Sequence, residues 1–211
     1  IYMAPYIETI REHSDATIVL RAHNVEHLIW DRIAKKTKFP LKRWYLNHLV
    51  RTLRKYEMDV INKVDGIAAI TYRDAAFFRG ETAVPVIDIP FGVNPDEFNP
   101  AYEVKDNPTL YHIGSMNWMP NEEGIRWFLN NVWDKVAKRN PDLQLNLAGR
   151  NMPKWLLKLK KKNVNVVGEV PDAKEFVKNN DIAVVPLLSG SGIRIKIIES
   201  MAMGKTVVTT M

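Results

Sequence analysis

The chain contains no cysteine, so it forms no disulfide and offers no thiolate to a metal or to nucleophilic catalysis. That usage fits a reducing compartment, and a cytoplasmic location is the expectation. No uncharged run reaches the ~20 apolar residues that a membrane-crossing helix requires. Nothing near Ile1 has the basic-then-apolar profile of a secretory leader. Ten glycines and twelve prolines in 211 residues exclude a collagen-like or Pro/Gly-rich disordered chain. No internal repeat or low-complexity tract is visible, and no carboxylate cluster has metal-ligand spacing, so no metal site is expected. What remains is ordinary globular composition, 46% hydrophobic and 26% charged. The net charge of +6 points to anionic partners, among them nucleotide, phosphate, nucleic acid and acidic lipid. The length allows one large domain or two small ones.

Hydrophobic periodicity alternates between helix-like and strand-like stretches. In the first half, helices are expected over Pro5–His13, Val25–Ala34, Leu41–Lys63 and Tyr72–Arg79, and strands over Ala16–Leu20, Gly66–Ile70 and Val84–Ile89. The stretch Pro90–Pro108 then changes character, with four prolines, Gly92 and few apolar residues in series, which is hinge composition. A second βα series follows. Its strands are expected at Thr109–Ile113, Leu143–Ala148, Val164–Val167, Ile182–Pro186 and Thr206–Thr210. Its helices are expected near Glu122–Lys138, Pro153–Lys161, Lys174–Asn179 and Ile195–Met203. Alternating β and α with continuous apolar strands means an α/β fold with parallel sheets. The expected organisation is a partial Rossmann-like domain over 1–94, a hinge over 95–107 and a nearly complete Rossmann-like domain over 108–211.

In open parallel sheets, ligands bind beyond the carboxyl ends of the strands. The most informative such loop is PLLSGSGIRIKIIESMAMG, residues 186–204. Its small residues Ser189, Gly190, Ser191 and Gly192 lead into a helix, exposing backbone N–H groups beside a helix N-terminus, a ready anion site. Arg194 and Lys196 follow in the first turn. Cations there oppose the helix dipole by about 0.3–1 kcal/mol each, which calls for a compensating anion. A diphosphate suits them, with Arg194 in bidentate contact and Lys196 as a point charge. Glu199 could accept from a ribose hydroxyl pair. The same residues also fit a plain surface helix with a Lys196–Glu199 pair. His23, in the sequence RAHNVE, stands directly after a buried strand and is either a structural hydrogen-bonder or a ligand-facing group. Glu26 suits a helix N-terminus, and His112 reads as structural. Trp118 and Pro120 are expected to pack their loop under the helix that follows.

Two basic clusters remain. Lys35–Lys55 has eight Lys or Arg and no acid, interleaved with Phe39, Trp44 and Tyr45, and Arg150–Lys162 has six cations. They read as solvated helix faces or as a surface for an anionic membrane. Nucleic acid is not expected as a partner, because no reading motif accompanies the charge.

The segment SGSGIRIKIIESMAMGKTVVTT resembles the donor-binding motif of GT-B glycosyltransferases, in particular the family-4 (group 1) retaining enzymes. That motif carries two Glu eight positions apart before an Ala-Met-Ala-x-Gly-x-Pro-Val-Val ending. Glu199 matches the second, and Ser191 stands where the first would be, with the backbone amides of Gly190–Gly192 able to substitute. Tyr111–Asn121, with Gly114 and Ser115, is similar to the family's first C-domain loop, whose backbone approaches donor phosphate. Ile87–Phe98 resembles the inter-domain stretch, with Phe91 and Asn94 replacing an Asn and an Asp.

The resemblance implies transfer of a sugar from a nucleotide-diphosphate donor to a hydroxyl acceptor, carbohydrate or lipid-linked, with retention and without a cofactor or metal. It places the diphosphate on Gly114, Gly192, Arg194 and Lys196, the ribose on Glu199, and the base beside the loops at Gly149–Arg150 and Gly168–Glu169. It sets His23 toward the donor sugar. Peripheral contact with the inner face of a membrane fits that acceptor class. A sugar-nucleotide epimerase, or a non-catalytic nucleotide-sugar or anionic-surface binding module, fits the same residues. Two incomplete halves lead to the expectation of a fragment that binds nucleotide without turnover.

Overall fold

The computed structural model describes residues 3–98, 100, 106–188 and 193–210. Two compact units emerge, one built on Ile1–Phe91 and one on Gly92–Leu188 with Arg194–Met211.

The first unit carries a parallel sheet in the order β1-β2-β3, from Val19–Ala22, Gly66–Ala69 and Val86–Asp88. Helix α1 (Ile7–His13) precedes β1; α2 (Glu26–Lys36) and α3 (Pro40–Ile61) cross from β1 to β2, and α4 (Tyr72–Glu81) from β2 to β3. Pro40 opens α3, where its missing N–H costs nothing. Thr71 caps α4 by accepting from the Asp74 N–H at 3.0 Å. Val25, Ile61, Ile67 and Phe78 pack the core. Strand β1 begins at Val19, later than the Ala16 that its β-branched run suggests. The Asp65 carboxylate takes the Ile18 N–H at 2.7 Å and Arg11 holds the Ala16 carbonyl at 3.1 Å, so side chains occupy the backbone there before ladder pairing starts at Val19–Gly66.

The second unit has a parallel sheet in the order β6-β5-β4-β7-β8, from β4 (Thr109–Ile113), β5 (Gln144–Ala148), β6 (Val164–Gly168), β7 (Ile182–Val185) and β8 (Thr206–Thr209). Its helices are α5 (Met119–Asn131), α6 (Trp133–Arg139), α7 (Lys154–Leu157), α8 (Ala173–Lys178) and α9 (Ile195–Ala202). Alternate residues of a strand point to opposite faces. Leu110 therefore joins Ile125, Leu129, Trp133 and Leu145 on one side, while Tyr111 joins Val177, Ala183 and Met203 on the other.

The single helix expected over 122–138 is two. At Val132 (φ −118°, ψ −51°) the axis shifts, and Trp133 turns inward to be fully buried, its Nε1–H donating to the Lys162 carbonyl at 3.1 Å. Helix α7 is one turn: after Leu156 come exposed Leu157 and the cations Lys158, Lys160 and Lys162, with Leu159 packing back on the core outside the helix. The strand order reverses direction between β4 and β7, the switch point at whose carboxyl end an α/β sheet binds ligands.

Candidate functional site

Three loops meet beyond the carboxyl ends of β4, β5 and β6. The Gly114 N–H donates to the Ala148 carbonyl at 3.1 Å, the Met116 N–H to Arg150 at 2.9 Å, and the Gly149 N–H to Gly168 at 2.7 Å. Gly149 has φ +139°, and a Cβ there would stand 1.9 Å from the Gly114 carbonyl oxygen. Gly114 itself is crowded from the other side. A Cβ on it would lie 2.5 Å from Lys196 Nζ and 2.9 Å from Asn121 Nδ2. The loop thus presents bare backbone to a lysine ammonium.

Lys196 reaches that position from the first turn of α9, with Arg194 as the residue that enters the helix. Its backbone is tied to the sheet: the Tyr111 hydroxyl donates to Ser200 Oγ at 2.8 Å, and Ser200 Oγ donates to the Lys196 carbonyl at 2.6 Å. Burial raises the Tyr111 pKa, so it remains a neutral donor. Lys196 Nζ donates to Asn121 Oδ1 at 2.9 Å. Burial, reinforced by the Arg194 charge, lowers the Lys196 pKa to about 8. On the opposite face of β4, burial and then the Lys196 charge lower His112 to about 3, against the raising effect of its Nδ1 bond to the Val184 carbonyl at 2.8 Å. His112 is therefore neutral and structural.

A cavity of about 360 Å³ opens beside Gly114, lined by Phe98, Lys174, Lys196, Glu199 and Met203 among others. Lys174 caps the Phe98 ring at 4.8 Å from its centroid. Bare loop backbone, a helix N-terminus and two cations can hold an anion at one end of this cavity, and Glu199 offers an acceptor at its side.

The structure brings together Gly114, Ser115, Lys196 and Glu199, with Arg194 at the same helix end. Arg150 and Glu169 pair at 3.0 Å on the neighbouring loops, where Gly168 has φ +83°. Gly190, Ser191 and Gly192 lie outside the described residues. His23 belongs to the first unit, exposed at the carboxyl end of β1. Pro120 is buried as expected, together with Asn121, whereas Trp118 departs from expectation: it stands at the start of α5 and is 41% exposed. Sequence reasoning missed Asn121. Its one signal was an amide in the first turn of an amphipathic helix, at a position facing inward. Among the described residues, no group of three or more His, Cys, Asp or Glu is placed to hold a metal, and no helix is long and apolar enough to cross a membrane.

Residues 107–211 match the family described as "Glycosyl transferases group 1". The chain is 24% identical over 206 residues to a 44.6 kDa protein of the cps region of Klebsiella pneumoniae, covering 91% of this chain and 51% of that protein. It is also 24% identical over 194 residues to a glycosyltransferase of Haemophilus influenzae, covering 88% and 50%. The chain thus spans about half the length of the curated relatives it matches. Among solved structures, Anabaena HepE in complex with UDP and glucose aligns with TM-score 0.66 at 15% identity, over 98% of this chain and 55% of that one. WaaG, a glycosyltransferase involved in lipopolysaccharide biosynthesis, aligns with TM-score 0.64 at 16% identity, over 99% and 63%. These likenesses show the fold: Rossmann-like units with parallel sheets, as in GT-B glycosyltransferases.

Proposed function

We propose, for a chain that belongs through residues 107–211 to the group 1 glycosyltransferases, that its second unit binds a nucleoside-diphosphate sugar and presents it for transfer to a hydroxyl acceptor. The observation that carries this reading is the Lys196 ammonium, held against the bare backbone of Gly114 with a neutral amide as its acceptor. A partly buried cation whose hydrogen-bond partner carries no charge favours the arrival of an anion. HepE, similar in fold, is recorded with UDP and with UDP-glucose, which supports the choice of ligand.

In this reading the diphosphate lies against the Gly114–Ser115 loop and the Arg194 and Lys196 side chains. Glu199 accepts from the ribose, and the loops at Arg150 and Gly168 border the base. As the bond from the anomeric carbon to the diphosphate oxygen breaks, negative charge grows on the leaving phosphate. Arg194 and Lys196 stabilise it, a contribution of about 3–4 kcal/mol per well-placed donor. Attack from the same face, with the leaving phosphate taking the acceptor's hydroxyl proton, gives retention without a protein nucleophile. No cofactor beyond the sugar nucleotide enters this scheme.

The acceptor is a carbohydrate or lipid-linked hydroxyl, and the first unit supplies a reason to place it at an anionic membrane surface on the cytoplasmic side. Leu41, Trp44 and Tyr45, spaced three and four apart on α3, are all at least 58% exposed, beside Lys42 and Arg43. Apolar and aromatic residues flanked by cations are the chemistry of an interfacial helix.

Titration calorimetry with UDP and GDP tests the donor site. Lys196→Ala and Arg194→Ala should each weaken nucleotide binding about ten-fold or more, the loss expected for a charge-assisted contact. Unchanged binding in both would remove the diphosphate assignment. Formation of an epimerised sugar nucleotide in place of a glycoside and free nucleoside diphosphate would move the protein to the epimerases.

A further inference from the structure

Asn121 sits in the first turn of α5, 9% exposed, where it meets both the β4 loop and α9. Its amide is used at both ends. Nδ2 donates to the Ser115 carbonyl at 2.8 Å, and Oδ1 accepts from Lys196 Nζ at 2.9 Å. The orientation admits no alternative, because a carbonyl can only accept and an ammonium can only donate. A Cβ on Gly114 would come within 2.9 Å of Nδ2 and 2.5 Å of Nζ, so the glycine leaves room for this pairing.

The chemistry of the residue type is specific. An aspartate of the same shape would set a carboxylate against the Ser115 carbonyl, losing that bond, and would neutralise Lys196 with a permanent counter-ion. Alanine would release both the loop and the ammonium. The amide alone fixes the two partners and adds no charge. The other ionisable groups around the ammonium are Arg194 on its own helix, Glu199 and Lys174 along the cavity, and neutral His112 behind the sheet.

We propose that Asn121 is a positioning residue of the donor site, holding the Lys196 ammonium and the Ser115 backbone in one frame while leaving the ammonium's charge for the phosphates of a nucleoside diphosphate. This rests on the reading of the site given above. Asn121 touches no phosphate itself; it acts through Lys196.

The test is a double-mutant cycle read by UDP titration, with thermal melting to verify folding. Asn121→Asp should lower UDP affinity by about ten-fold or more, the size of a lost charge-assisted contact, and Asn121→Ala by a smaller factor. On a Lys196→Ala background the Asn121→Ala loss should shrink to within about two-fold, as expected for residues acting as one unit. Asn121→Ser takes the place of Asn121→Asp if the latter melts below the titration temperature. Equal losses on both backgrounds would show a purely structural role and overturn the proposal. So would wild-type affinity in both Asn121→Asp and Asn121→Ala alongside a loss in Lys196→Ala. If Lys196→Ala itself binds UDP as the wild type does, the diphosphate reading fails and this proposal falls with it.

Discussion

Glu57 Oε2 lies 2.6 Å from His27 Nδ1, with both side chains 5% exposed. The same carboxylate accepts from the backbone N–H of Glu26 at 3.0 Å and of His27 at 3.3 Å, so a residue of α3 caps the start of α2. Helix N-termini leave N–H groups without internal partners. Here the partner comes from 30 residues downstream. Glu57→Ala strands three donors, two of them buried, and should destabilise the first unit by about 3–5 kcal/mol. Glu57→Gln, which turns an NH2 toward one of them, should cost about 1–3 kcal/mol. Urea unfolding measures both, and a Glu57→Ala loss under about 1 kcal/mol would contradict the assigned role.

The Lys196 pKa of about 8 gives donor binding a pH signature. Below that value the ammonium is charged and UDP affinity should be flat. Above it, binding must first protonate the amine, so affinity falls by up to about ten-fold per pH unit. For the free protein the sign is reversed. The folded pKa lies below the ordinary 10.5, so this group's contribution to stability is full above 10.5 and is lost as pH falls toward 8. Lys196→Arg keeps a charge at every accessible pH and should abolish the alkaline fall. A fall of equal slope in that variant would assign it to another group.

Much of this was legible in the residues. Strand β4 stands where its TLYHI run places it, and the loops after it carry the glycines that the site uses. What was not legible depends on contacts remote in sequence. Asn121 meets Lys196 across 75 residues, so no local spacing announces it. The start of β1 is displaced because Arg11 and Asp65 converge on Ala16–Ile18 from either side, a tertiary effect that β-propensity does not contain. The sequence places both Trp118 and Pro120 under the helix that follows, and only the second of the two is buried. The first turn of α5 faces Pro120 and Asn121 inward, where Asn121 bonds the Ser115 carbonyl and Lys196, and Trp118 is left outside.

His112 ties the β4 strand to acid stability. Its pKa is lowered from 6.5 to about 3 by burial and the Lys196 charge, so the folded state holds it neutral. Its contribution is complete above pH 6.5 and is lost progressively as pH falls toward 3. Asn at this position keeps a donor near the Nδ1 site for the Val184 carbonyl but does not titrate. His112→Asn should therefore show a shallower loss of stability between pH 6.5 and 3 in denaturant titrations. An unchanged slope would mean that the acid sensitivity lies in carboxylates elsewhere.

Gly149 and Gly168 separate backbone strain from steric overlap. Both have positive φ, yet a Cβ on Gly168 meets nothing within 4 Å, whereas on Gly149 it collides with the Gly114 carbonyl. Gly168→Ala should cost the strain alone, about 1 kcal/mol at the low end of such outliers. Gly149→Ala adds overpacking of about 1–3 kcal/mol and pushes the Gly114 loop off its position. It should also weaken UDP binding, while Gly168→Ala should not shift the Gly114 loop. Thermal unfolding and calorimetry on the two variants decide the matter; equal effects on both stability and affinity would refute the overlap argument.

The exposed stripe on α3 makes a prediction whose salt dependence identifies its partner. Each Lys or Arg near an anionic bilayer contributes about 1 kcal/mol, and that attraction fades within a Debye length of about 8–10 Å at 0.1–0.15 M salt. Sedimentation with phosphatidylglycerol vesicles should therefore capture the chain at low salt and release it as salt rises, while phosphatidylcholine vesicles should not capture it. Lys42→Glu with Arg43→Glu should remove most of the binding by reversing the local charge. Trp44→Ala with Tyr45→Ala should weaken it at every salt concentration, because the loss there is of apolar contact and is not screened. Binding that ignores both salt and the charge reversals, or an absence of binding to either lipid, would leave the stripe as a surface for a protein segment and end the membrane assignment.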